Sequence, residues 1–179
     1  MLEASTFHAI FVEVLVGSFT LSGISFLLCL AFNSNLKVLD WLDKGAHLGL
    51  FLGCLVLPFA IISGTSSGSM GTSELLAKKT VYSIATLGFS IGLLVNRWKT
   101  GSNVIHSKNL LLAHSSMGIL TFGLVMITGS LGGKLTRGES LLDFVGIGGT
   151  GYVAMPIWAS IASILLALSI IILPKKSAV

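Results

Sequence analysis

Residues 46–64 read AHLGLFLGCLVLPFAIISG: one histidine, Pro58, then apolar sequence as far as Ile62-Ser63-Gly64. Residues 113–129, AHSSMGILTFGLVMITG, follow the same plan and end on Ile127-Thr128-Gly129. Each run is long enough, as a helix, to cover most of a bilayer hydrocarbon core of ~30 Å, which takes about 20 residues. An imidazole just inside that core is costly, so His47 and His114 are candidate functional groups.

The composition agrees with a bilayer setting. Of 179 residues, 53% are hydrophobic and only 10% are charged, against about 25% charged in soluble domains. Mean hydropathy is +0.93. The net charge of +4 comes from basic residues in short loops, and no basic tract carries interleaved aromatics, so nucleic acid is excluded as a partner. Cys29 and Cys54 lie inside apolar runs and read as packing residues. No CxxCH motif is present, which argues against covalent haem attachment. The first apolar run lacks a basic leader and a cleavage site and reads as a retained helix.

The expected fold is all-α and integral to the membrane, with five transmembrane helices in a single domain at residues 7–32, 44–63, 75–98, 109–130 and 152–173. Spans two to five are expected to form an antiparallel four-helix bundle, with the first span packed outside through its small-residue stripe. Residues 33–43 read as an interfacial loop, and 64–74 and 131–150 as glycine-rich loops. Pro58 is expected to kink its helix or free a carbonyl. Five spans put Lys37, Lys44, Arg97, Lys99, Lys108, Lys175 and Lys176 on one side and Lys78, Lys79, Lys134 and Arg137 on the other. The positive-inside rule then makes the first side cytoplasmic, with the N-terminus outside and the C-terminus inside, in the cell (inner) membrane.

In that topology His47 and His114 share a depth on two helices running the same way. One haem iron held from both faces needs that arrangement. Gly49, Gly53 and Gly118 would let a flat macrocycle approach the backbone. Lys44, Arg97 and Lys108 lie at the same level and could meet its propionates. Two alternatives stay open: each histidine is an interfacial residue bonded to a loop carbonyl or water, or each ligates a separate chlorophyll. Asp43-x-x-x-His47 offers two ligands on one face, but a copper or zinc site needs a third, and only Cys54 is near. Gly146-x-Gly148-x-x-Gly151 matches a dinucleotide fingerprint in letters only, since no strand precedes it.

Two other ionisable residues stand out. Glu13 is a carboxylate inside an apolar run and His8 lies at the mouth of the same run; five residues apart they do not face each other squarely on a helix, and both are candidates for a quinone headgroup or a proton path. The plainer reading pairs Glu13 with serines of a neighbouring helix or with a partner subunit. His106, in a polar loop, reads as solvated.

The His47 stretch with Leu57-Pro58, followed by His114-x-x-x-Gly118-Ile119, resembles the cytochrome b561 class of membrane haem bundles. The likeness spans roughly residues 44–173. It implies b-type haem held by His47 and His114. The third and fifth spans lack the histidines for that class's second haem, so the resemblance implies one. Residues 127–135, ITGSLGGKL, are also similar to small prokaryotic membrane proteins for which a haem core is suggested, where the counterpart of His8 would be a ligand.

The expected function is therefore electron transfer through one non-covalent haem b, as a subunit among other membrane redox proteins, with quinone as a candidate partner. The competing expectation is a cofactor-free structural or assembly subunit of a respiratory or photosynthetic complex. A small transporter has only Glu13 and Pro58 in its favour.

Overall fold

The computed structural model describes residues 4–67 and 74–139, and beyond them Asp143, Trp158, Ile161, Ala162 and Leu165. The described residues are helical almost throughout: α1 Ala4–Ala31, α2 Leu36–Ser67, α3 Glu74–Thr100, the single turn α4 Asn103–His106, and α5 Lys108–Arg137. The expected fifth span lies outside the described residues, apart from four helical positions at 158, 161, 162 and 165. Three helices are long and apolar enough to cross a membrane, within Thr6–Ala31, Leu36–Gly64 and Lys108–Arg137. The third expected span forms a helix as well, but it is not among these three. Its inward face carries Thr80, Ser83, Thr86 and Ser90, each donating its hydroxyl to the carbonyl one turn back. Such back-bonding satisfies a hydroxyl inside an apolar bundle.

Several helix ends differ from the sequence reading. α2 starts at Leu36 because Asn35 caps it: its side-chain oxygen accepts the Val38 N–H at 3.2 Å. The expected loop at 33–43 is thus largely helix, and Asp43 falls inside α2, one turn before His47. Pro58 sits within α2 without ending it. α5 continues two turns past Ser130, through Gly132 and Gly133, and stops where Gly138 takes a left-handed φ of 76° and donates its N–H to the Lys134 carbonyl.

The first helix belongs to the bundle rather than lying outside it. α1 packs against α2 and α5, and α3 packs against the same two, so α2 and α5 face each other across the diagonal. The cause is a set of glycine notches. A Cβ on Gly49 would come within 2.6 Å of the Ser18 carbonyl oxygen, so the α1 and α2 backbones nearly touch. A Cβ on Gly53 would meet the Phe19 ring at 2.6 Å, and one on Gly118 would run into the Phe26 ring. Phe19 and Phe26 are each 1% exposed. The notches assigned from sequence to a macrocycle therefore hold α1 and its phenylalanines.

Outward faces are apolar, with Leu21, Leu48, Phe59 and Leu112 about half exposed, while Ser22, Ser25, Ser90, Ser115 and Thr121 are buried. A helix facing lipid tolerates that inversion, because the surrounding chains are as apolar as leucine. Truncating Phe26 to alanine would empty the contact with both Gly118 and the histidines. We expect Phe26→Ala to lower stability by about 3 kcal/mol, read by SDS-induced unfolding in mixed micelles. A loss under ~1 kcal/mol would mean the notch collapses without it.

Candidate functional site

Asp43, His47, Arg97 and His114 meet at the end of the bundle where α2 and α5 begin and α3 finishes. Helical spacing puts Asp43 and His47 on one face of α2. Arg97 reaches them from the last turns of α3. Its Nη2 lies 2.7 Å from the Asp43 carboxylate, and its Nε donates to the same oxygen at 2.8 Å. Asp43 is 2% exposed, so this ion pair answers a charge that water does not reach.

The His47 ring is fixed from behind. Its Nδ1 lies 2.7 Å from the Asp43 backbone carbonyl and 3.3 Å from the Asp43 carboxylate. Both are acceptors, so Nδ1 carries the proton and the Nε2 lone pair points inward. Across the diagonal, His47 Nε2 and His114 Nε2 are 2.7 Å apart. Two lone pairs at that separation would repel, so in the neutral pair His114 donates its Nε2–H to His47. These protonation states follow from the hydrogen-bond network. Phe26 closes the remaining side, its ring 5.3 Å from that of His47 and 6.0 Å from that of His114.

The donor chemistry suits a haem iron: two imidazole Nε2 atoms converge, and one ring is oriented by a carbonyl on its other nitrogen, the support expected behind a metal-ligating histidine. The spacing is that of a closed pair. Metal–imidazole bonds of about 2.0 Å each hold opposed nitrogens roughly 4 Å apart, so the rings must part by more than an ångström. Phe26 packs beside both rings, so a group placed between them would have to share that space with it. Among the described residues, no group of three or more His, Cys, Asp or Glu side chains could hold a metal ion.

The other candidates are distributed differently. Lys44 is exposed and pairs with Asp40 at 2.6 Å; Lys108 is exposed at the same end. Arg97, assigned from sequence to a propionate, is engaged by Asp43. Gly118 is filled by Phe26. His106 is exposed on α4, as its polar surroundings suggest. His8 sits at the far end, its Nδ1 3.0 Å from Ser63 Oγ. Glu13 faces outward on α1 and does not line the cavity that His8 borders, so the two do not form one site.

Sequence reasoning missed two members of this cluster. The sequence reading puts Asp43 in a loop and considers it only as a metal ligand; the Asn35 cap is the signal that places it on the helix. Phe26 carried no signal, because nothing in α1 marks which of its phenylalanines meets the histidines. No family model, curated protein or solved structure matches this chain.

Proposed function

We propose that the protein is an integral membrane subunit whose working centre is the His47–His114 pair, and that the pair takes one non-covalent b-type haem to pass electrons within a larger redox complex. The observation that carries this reading is the approach of two Nε2 atoms from diagonal helices, with the His47 ring oriented by the Asp43 carbonyl. His47 and His114 would hold the iron, and the haem would supply one-electron redox chemistry. Arg97 neutralises Asp43, and Asp43 keeps the proton on His47 Nδ1. Lys44 and Lys108 stand at that end for the propionates. The basic excess at this end supports a cytoplasmic orientation in the cell membrane. The partners are the lipid bilayer and other redox subunits.

A second reading is favoured by the Phe26 ring packed beside the pair. The 2.7 Å contact and the packed Phe26 ring suit a cofactor-free structural or assembly subunit, with the two histidines as a hydrogen-bonded clasp between α2 and α5. A reduced-minus-oxidised visible spectrum of the purified chain, expressed with ample haem supply, separates the two. A sharp b-type band with one haem per chain is the expected result. A featureless difference spectrum overturns the haem reading and leaves the clasp.

A further inference from the structure

At the end away from the histidine pair, α1, α2, α3 and α5 line an open-sided cavity of about 330 Å³. That is near the lower end of the ~300–1,000 Å³ typical of small-molecule sites. Its two ends differ in chemistry. Leu15, Leu57 and Val125, all part of the bundle's apolar core, form the inner wall. Lys79 and Arg137 form the outer rim.

The two cations lie beside adjacent glycines of α5. Lys79 Nζ lies 3.4 Å from where a Cβ on Gly132 would stand, and Arg137 Nη2 lies 3.2 Å from a Cβ on Gly133. A Cβ at Gly132 would just touch the Lys79 tip, and one at Gly133 would meet the Glu139 backbone carbonyl at 2.8 Å before the Arg137 tip. Of the nearby acidic side chains, Glu74 pairs with Lys78 and Asp143 with Lys134, while Glu139 is exposed two residues beyond Arg137. Among the described residues no carboxylate lies in ion-pair range of Lys79 or Arg137. Long basic side chains reach for the interface by default; Arg137 is exposed at the mouth of the cavity, whereas Lys79 is part-buried against it.

We infer that this cavity binds a single-chain amphiphile with a carboxylate head, the head between Lys79 and Arg137 and the chain along Leu15, Leu57 and Val125. An anion answers the two cations, which an uncharged quinone ring would not do. The limited volume favours one chain over the two of a phospholipid. The inference is independent of haem, because the cavity and the histidine pair occupy opposite ends of the bundle.

The test uses the full chain in non-ionic detergent with a fluorescent conjugated-tetraene fatty acid as probe. The free acid is expected to bind saturably, one per chain, and its methyl ester at least about tenfold more weakly, a difference of ~1.4 kcal/mol. Lys79→Met should weaken the acid by a similar factor and leave the ester unchanged. Gly132→Leu should abolish binding of both. Unlabelled palmitate should displace the probe, and phosphatidylglycerol in nanodiscs should not. Equal binding of acid and ester overturns the proposal, as does an unaltered Lys79→Met. Displacement by phosphatidylglycerol overturns the single-chain assignment, and displacement by a short-chain benzoquinone overturns the carboxylate. If Lys79→Met does not fold, the acid–ester comparison on the unchanged protein decides.

Discussion

Arg97→Met is expected to destabilise the bundle by about 3 kcal/mol in SDS-induced unfolding of the purified chain. The value is at the lower end of the ~3–5 kcal/mol expected when one partner of a buried ion pair is removed, because the Arg97 side chain keeps 21% exposure while that of Asp43 keeps 3%. The loss comes mainly from Asp43, left charged where water cannot solvate it, and only secondarily from the lost contact. That attribution has its own check. Asp43→Asn together with Arg97→Met removes both charges and should recover most of the stability, so the two single losses will not add. Strictly additive losses would mean that Asp43 and Arg97 act separately. His47 should feel the same change, since the backbone carbonyl and carboxylate behind its Nδ1 both belong to Asp43.

Complete loss of the low-spin b-type spectrum is the expected result for His47→Ala and for His114→Ala, if the haem reading holds. Each variant leaves one axial nitrogen, so haem either dissociates or turns high-spin. His106→Ala should leave the spectrum intact, because that side chain is exposed on α4. His8→Ala is the stronger control. About eighteen residues of α1 separate His8 from Phe26, the ring that touches the pair; at 1.5 Å per residue that is roughly 27 Å. If His8→Ala abolished the spectrum while His47→Ala spared it, the pairing proposed here would be wrong. Phe26→Ala adds a further readout on the same reading: with the ring beside the pair removed, haem occupancy should rise even as the bundle weakens, and a fall would count against it.

What the sequence determined by itself was helix content and one long-range pairing. Apolar runs of bilayer length have few conformations open to them, since every backbone N–H and C=O must be satisfied within the segment, so α1, α2 and α5 were legible as helices. The matched heads of residues 46–64 and 113–129 brought His47 and His114 to one end, and the chain folds that way. Depth along a helix is additive in residues, so sequence could supply it. The structure alone decided rotation about the helix axes and the choice of neighbours, because both depend on which knob fills which notch. Gly49, Gly53 and Gly118 mark close approach in the sequence without saying what approaches, and Ser18, Phe19 and Phe26 claim them. That places α1 inside the bundle and narrows the space beside the histidines. Asp43 needed tertiary information for the same reason: a carboxylate near a helix start is ordinarily solvated, and only Arg97, fifty-four residues later, makes its burial affordable.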